Sequence, residues 1–535
     1  MESAPIFRFN DHKAELVEEV VHRVTTQVKD PLFILNDAAY LETRRLQHGG
    51  GSELAEWRSL ASALGRMGET DRRSKLRHYA QRYAWDVAGN FDPRVYKFAS
   101  RAIAPLLGAL MSPRDTVKNL PASLDLAALD SRIAVEGPRD HVRRLCELGT
   151  VVFVPTHLSN LDSVAFGFAI ERAGFPPATY GAGKNLFTNP VLSFFMHNLG
   201  AYRVDRRLRH LLYKDVLKTY SCVLLERGYH SLFFPGGTRS RSGGVERRLK
   251  LGLAGTGVEA FTRTTMAGKP RRVFFVPATI NYLLTLEAET LIDDFLQEEG
   301  KARYLIEDDE STRFGRVAAF INKLMGLDGA CVIRFSQPLD CFGNLVDDDG
   351  NSVDAGGRTV DPTSYILGRD GTPAIDPVRD AEYTRELGES IVRSFLKDTV
   401  AMPTHIVAAA AFARLKQSVG SGDLFAMLRH RDDVSVSRAD LAADIDVLLE
   451  KARAQERIGA LQLAVPHGNG RDVLTAALKA FSGYHTHEVL SPRGDALLLT
   501  DTRLLFYYQN RLAAHGLAAD HIAPRVAKAG PRVVA

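Results

Sequence analysis

A chain of 535 residues is too long for one ordinary hydrophobic core, so about two to four packed units are expected. Hydrophobic content of 45% with 25% charged residues argues against a disordered chain. No apolar run approaches the ~18 residues of a membrane-spanning helix, the best being 104–111 and 406–413. The net charge of +4 hides an uneven distribution: residues 203–250 hold 12 Lys+Arg against 4 Asp+Glu, an excess suited to a phosphorylated substrate, anionic lipid headgroups or nucleic acid. The four cysteines (Cys146, Cys222, Cys331, Cys341) form neither a disulfide framework nor a zinc spacing, and they are expected to be small buried hydrophobes, with no metal site. The N-terminus lacks the build of a signal peptide, so a cytoplasmic protein is expected.

Residues 1–115 read as helical. Leu16, Val17, Val20, Val21 and Val24 share one face, with Asp11 as the expected cap. A glycine run at 49–51 precedes a helix carrying Trp57, and a third helix is expected over 73–86. The apolar stretch 96–111 reads as a core helix or as a segment that docks on a bilayer. From 116 to 341 the texture is α/β, with short apolar runs at 133–135, 151–154, 231–234, 273–276 and 331–335 alternating with helical patterns. Residues 342–382 form an Asp/Gly-rich hairpin or linker, where Asp347, Asp349, Asn351 and Asp354 lack the glycine and glutamate placement of a calcium loop. Residues 383–535 are mainly helical. Ser437 and Asp440 suggest a capping box, 491–494 a turn between two short strands, and the aromatic stretch after Asp501 a closing helix that packs.

The stretch of chemical interest is T-V-V-F-V-P-T-H-L-S-N-L-D, residues 150–162. A buried strand ends at Pro155 and a helix begins near residue 163, which places His157 and Asp162 in the strand-to-helix turn where open α/β sheets carry their sites. A histidine with a carboxylate five residues on can form a base and its orienting partner. The same spacing recurs at His210/Asp215, His467/Asp472 and His515/Asp520. His210 reads as lying within a helix, His467 in a flexible glycine loop rather than a helix start, and His515 near a polar end. Only His157 is followed by an ordered series: Gly183-Lys184-Asn185, then Gly200-Ala-Tyr-Arg203-Val-Asp-Arg206, then Phe233-Phe-Pro-Gly-Gly237-Thr238-Arg239-Ser240-Arg241, then Val276-Pro277.

That series resembles the four-motif signature of the glycerolipid acyltransferases, most of all the long bacterial glycerol-3-phosphate and dihydroxyacetone-phosphate O-acyltransferases. The resemblance is specific from about residue 133 to 282. It implies an α/β fold, an acyltransferase-type mixed sheet flanked by helices, between a helical N-terminal region and a mainly helical C-terminal one. It implies that His157, oriented by Asp162, acts as general base on the hydroxyl of glycerol 3-phosphate or a close phosphorylated acceptor. The acyl group would come from an acyl-CoA or acyl carrier protein thioester, with no further cofactor. Lys184, Arg206 and Arg239 would grip the acceptor phosphate, Gly237, Thr238 and Ser240 would add donors, and Pro277 would shape the acyl-donor side. Lys250 matches a lysine-glycine step of the family. The family's third motif has glutamate before Gly-Thr-Arg, where this chain has Gly236; Asp205 or Glu246 could replace it. That departure motivates the alternative of a weakly active or inactive lipid- or phosphate-binding member. A nucleic-acid-binding protein finds no recognised module. An amphiphilic product and the basic segment together imply a peripheral protein on the inner face of the cell membrane.

Overall fold

The computed structural model describes residues 4–47, 51–99, 132–184, 190–299, 329–419, 424–429 and 434–518, together with residues 323 and 327. Most of the apolar stretch 96–111, the family-like residues 185–189 and Asp520 lie outside the described residues.

Four helices open the chain: α1 (Phe9–Gln27), α2 (Pro31–Leu46), α3 (Ser52–Ala63) and α4 (Glu69–Val87). The expected apolar face of α1 is buried throughout. Its start differs from expectation. A 3-10 turn over Pro5–Arg8 feeds it without a side-chain cap, and Asp11 sits inside the first turn, where a negative charge favours the helix dipole.

The central sheet runs through β1 (Ile133–Glu136), β2 (Thr150–Pro155), β3 (Thr179–Gly183), β4 (Ala201–Val204), β5 (Ser231–Leu232), β6 (Val273–Tyr282), β7 (Cys331–Phe335), β8 (Leu339–Asp340), β9 (Leu345–Val346), β10 (Ser352–Val353) and β11 (Thr359–Val360). Strand order is β11-β10-β9-β8-β6-β2-β5-β3-β4, with β7 pairing β6 and β1. The β4-β3-β5-β2-β6 core is parallel. β2 therefore lies inside the sheet, buried along its whole length. Its alternate residues serve two cores: Val151 and Phe153 face one cluster, Val152 and Val154 the other. The apolar runs at 133–135, 151–154, 273–276 and 331–335 all become strands, but β6 extends six residues beyond its run. Within the expected hairpin or linker at 342–382, residues 345–360 form antiparallel hairpins that prolong the sheet, followed by a 3-10 turn over Pro362–Ile366 and a helix that already begins at Pro377. Within the hairpins Asp347 accepts from the Asp349 and Asn351 peptide N–H groups and so shapes a turn.

Flanking helices are α5 (Arg139–Leu148), α6 (Asp162–Arg172), α7 (Pro190–Asn198), α8 (Leu211–Glu226), α9 (Gly255–Met266) and α10 (Ala288–Glu299). The N-terminal helices share one core with α8, in which Val17, Val20 and Val21 join Tyr213, Val216 and Tyr220. His210 does not lie within α8 but caps it: its Nδ1 accepts from the Tyr213 N–H, and burial lowers its pKa to about 4.

The C-terminal region comprises α11 (Pro377–Lys397), α12 (Pro403–Val419), α13 (Leu424–Arg429), α14 (Arg438–Arg457), α15 (Gly470–Phe481) and α16 (Thr502–Gln509). Two small sheets join it, β12 (Val400–Ala401) with β14 (Gln462–Leu463), and β13 (Ser435–Ser437) with β16 (Ala496–Leu499) and β15 (Leu490–Arg493). Its core also takes Leu283, Leu284 and Leu286 from the exit of β6. Ser437 caps α14 through the Ala439 and Asp440 N–H groups, without the reciprocal Asp440 bond of the expected capping box. The stretch after His467, read as a flexible loop, is instead a helix start. Asn469 and Asp472 form a capping box opening α15. Gly470 is required by contact, since a side chain there would collide with the Ala442 carbonyl. Asp472 is thus spent on a cap, and the pair with His467 is a coincidence of spacing.

Phe153 stacks on Phe175 at 5.6 Å and meets Phe335 and Phe166 edge-on at 6.1 and 6.0 Å, under the site-bearing end of β2. Phe153→Ala should lower unfolding free energy by ~3–5 kcal/mol, measured by chemical denaturation.

Candidate active site

β2 delivers the site. Thr156, just past its end, donates its N–H to the Ala278 carbonyl and accepts at Oγ1 from the Ile280 N–H, so the turn leaves the sheet locked to β6. Asp162 begins α6 and is fully buried. One oxygen, Oδ2, accepts from His157 Nδ1 (2.8 Å), the Leu158 N–H (2.6 Å) and the Ser159 N–H (2.9 Å); the other, Oδ1, accepts from Tyr282 Oη at 2.8 Å. Such a carboxylate is surrounded by hydrogen-bond donors rather than paired with a single cation. Burial and the Asp162 charge push the Tyr282 hydroxyl well above its ordinary pKa, which keeps it a donor. With Nδ1 engaged, His157 carries its proton there, and Nε2 has no hydrogen bond among the described residues. The ring stacks on Phe234 at 4.3 Å and retains 13% of its side-chain surface exposed.

The Phe233–Arg241 stretch lies directly against this turn. The Ser240 N–H donates to the His157 carbonyl at 2.7 Å and its hydroxyl to the Gly244 carbonyl at 2.7 Å. Ser240 therefore ties loops together, with both its N–H and its hydroxyl engaged within the protein. Gly237 adopts φ +72°, donates to the Phe234 carbonyl, and passes under the Lys250 side chain, which a β-carbon would approach to 2.5 Å. Its contribution is a close turn rather than a free donor. Thr238 is exposed. Pro277 is buried in β6, where the partner of that edge changes from β8 to β7, so it shapes the strand from within.

The basic residues come from separate elements, and most have carboxylate neighbours. Lys184 Nζ donates to Asp86 of α4 at 3.0 Å and lies 3.9 Å from Asp205. Arg203 Nη1 lies 3.8 Å from Asp86. Arg239 Nη1 lies 3.4 Å from the buried Glu287, whose Oε1 accepts from the Asn160 N–H at 3.0 Å. Arg206 has no carboxylate partner among the described residues, and surrounding protein together with the Arg239 guanidinium lowers its pKa. Asp205, one suggested replacement for the missing glutamate, is bound to Arg207. Burial pushes its pKa up, but the Arg207 hydrogen bonds outweigh this and leave it below the ordinary value. Glu246, the other, touches the site itself: its Oε1 accepts from the His157 N–H at 2.8 Å, while Oε2 is shut from solvent without a hydrogen bond.

Sequence reasoning did not find Tyr282, Glu287, Asp86 or Arg511. Arg511 is fully buried behind the site, bonded to the Ile280 carbonyl and to Asn281 Oδ1, and burial lowers its pKa to about 10. It falls in the C-terminal aromatic stretch, the one signal that could have marked it.

Residues 132–281 match the family model described as Acyltransferase. This segment is an acyltransferase domain. Through it the chain is similar to the glycerolipid acyltransferase superfamily. The glycerol-3-phosphate acyltransferases of Actinobacillus pleuropneumoniae serotype 5b (strain L20) and Pasteurella multocida (strain Pm70) are each 30% identical to it, over 202 and 203 residues, covering 37% of this chain and 23% of theirs. That of Pseudomonas paraeruginosa (strain DSM 24068 / PA7) is 26% identical over 295 residues, 54% of this chain and 32% of its own. The chain therefore spans a quarter to a third of the length of these curated relatives. Among solved structures, the 1-acyl-sn-glycerophosphate (LPA) acyltransferase PlsC from Thermotoga maritima aligns over 56% of this chain and 81% of that one, at 12% identity and a TM-score of 0.24.

Burial raises the Glu246 pKa from 4.5 to about 8; the His157 and Gly236 peptide N–H groups and Arg511 oppose the shift, and the Asp162 charge adds to it. Between those values the unfolded chain has lost the Glu246 proton and the folded chain keeps it, so this group's stabilisation is present below pH 4.5 and is lost as pH rises through about 8. Melting temperatures of Glu246→Gln and the parent across this window check the sign: the parent should lose stability more steeply as pH rises.

Proposed function

We propose that the protein is an O-acyltransferase that esterifies the free hydroxyl of glycerol 3-phosphate, or a close phosphorylated acceptor, with a fatty acyl group from an acyl-CoA or acyl carrier protein thioester. The observation that carries this reading is the His157–Asp162 pair, with Nδ1 held by a buried carboxylate and Nε2 left without a hydrogen-bond partner among the described residues. Nε2 takes the acceptor hydroxyl proton as the oxygen attacks the thioester carbonyl. The tetrahedral intermediate expels the thiolate, which takes the proton back from the imidazolium. No covalent acyl-enzyme is required. Arg206, unpaired among the described residues beside Arg239, is the leading phosphate ligand, since a planar guanidinium donates two bonds to one phosphate. Lys184 and Arg239 complete the basic rim, each braced by a carboxylate. The names of the relatives support glycerol 3-phosphate as acceptor.

The reaction links a polar acceptor to an amphiphilic product, which suits a protein resting on an anionic leaflet. None of the described helices is long and apolar enough to cross a membrane.

Thiol release should be followed with acyl-CoA and acyl carrier protein thioesters against glycerol 3-phosphate, dihydroxyacetone phosphate and a lysophospholipid. His157→Ala should lower kcat by ~10²–10⁴-fold; turnover at the parent rate would remove His157 as base. Arg206→Ala should raise the acceptor KM by ~10–100-fold, with a smaller effect on the KM of the donor. Sedimentation with anionic vesicles at low salt, abolished at high salt, is expected for the surface-bound state.

A further inference from the structure

We infer that Glu246 is a positioning residue for the base: its carboxyl group occupies the space a side chain at 236 would fill, and from there it holds the His157 peptide N–H in place. The inference rests on the reading of His157 as the base, although the geometry itself does not.

The course of the loop explains how a residue ten positions downstream arrives there. The chain leaves β5 through Phe233, Phe234 and Pro235, then turns at Gly237 (φ +72°) and again at Gly243 (φ +77°). The second turn is held from outside. Asn510 Nδ2 donates to the Ser242 carbonyl at 2.9 Å, and Gly243 packs so closely on the Tyr507 carbonyl that a β-carbon there would collide with it. Ser240 Oγ, bonded to the Gly244 carbonyl, closes the loop from inside. The returning segment is fastened to the outgoing one by the Lys250 N–H to the Pro235 carbonyl, at 2.7 Å. Glu246 is thereby delivered opposite Gly236, and a β-carbon on Gly236 would stand 2.7–2.9 Å from its Cδ and both carboxyl oxygens. Glycine at 236 and glutamate at 246 are thus one arrangement: either a side chain at 236 or the carboxyl from 246 fills this space, but not both.

What the carboxyl touches decides its role. Oε1 accepts from the peptide N–H of His157 itself, at 2.8 Å, in the turn whose carbonyl accepts from Ser240. The residue carrying the imidazole is therefore held at both its N–H and its C=O by the same returning loop, while Phe234 of that loop covers the ring. An acceptor at this point is needed in either protonation state, because the neutral acid still offers Oε1. Without it the N–H is left to seek another partner and the ring loses its anchor. Misplacement of a reacting group by an ångström is enough to cost about 10²-fold in rate.

Glu246→Ala, Glu246→Gln, Gly236→Ala and Gly236→Ala/Glu246→Ala should be compared by melting temperature, by thiol release, and by the rate at which diethyl pyrocarbonate modifies His157, followed by mass spectrometry. Glu246→Ala should fold, lower kcat by ~10–100-fold with little change in acceptor KM, and alter the His157 modification rate several-fold. Glu246→Gln, which keeps the acceptor, should recover most of both losses. Gly236→Ala should destabilise the parent but add almost nothing in the Glu246→Ala background, the non-additivity expected of two groups competing for one space. The inference is overturned if Glu246→Ala leaves both His157 modification and turnover at parent values, if glutamine is no better than alanine, or if Gly236→Ala costs the same in both backgrounds. Should the parent itself transfer no acyl group, the function proposed above falls, while the modification rates and the stability cycle still decide the role of Glu246.

Discussion

The buried carboxylate of Asp162 is the constraint on which the rest of the site depends. A charge removed from water is expensive unless donors surround it, and here the donors are the two peptide N–H groups of its own turn, the His157 ring and the Tyr282 hydroxyl. Three of these come from within five residues, so the turn closes on itself around the charge. The fourth comes from the far end of β6, and it is available only because β2 and β6 pair in parallel register from Thr150↔Val273 to Pro155↔Ala278. A slip of one residue would turn Tyr282 to the other face of the sheet. Asp162 also opens α6, so its charge sits at the favourable end of that helix.

The regions on either side of the acyltransferase domain are built into the site rather than appended to it. Asp86, near the end of α4, braces Lys184 and approaches Arg203. The stretch after α16 places Arg511 behind β6 and Asn510 on the loop that carries Glu246. The cores are shared: α8 packs among the N-terminal helices, and the residues leaving β6 pack among the C-terminal ones. The positive excess of residues 203–250 is sorted by the same packing. Arg207, Arg227 and Arg241 are paired with Asp205, Glu19 and Glu298, whereas the exposed Arg206 has no carboxylate partner among the described residues.

Much of this was legible in the chain. The β-branched run of β2, the proline that ends it and the helix that follows place His157 and Asp162 in one turn by local rules alone. Two readings failed where a local pattern has two physical causes. Gly468 and Gly470 suggested flexibility, yet Gly470 is there because α14 comes too close for a side chain. His210 looked like a helix interior residue, yet a ring nitrogen can cap a helix as an oxygen does. β3 and β4 had no strong apolar run, because glycines and a tyrosine pair there at the edge of the parallel core.

By itself the sequence placed His157 and Asp162 in one strand-to-helix turn and set the order of the motif loops, because these follow from spacing within a few residues, whereas the mixed sheet was implied only by the family resemblance. Tertiary structure alone decided which carboxyl group stands beside His157. Glu246 lies 89 residues from it and Tyr282 lies 120 from Asp162, and no local pattern encodes a contact made by chain return and strand register. The missing side chain at Gly236 therefore reads in the sequence as a loss and in the fold as an exchange, since the space it leaves is filled from ten residues downstream.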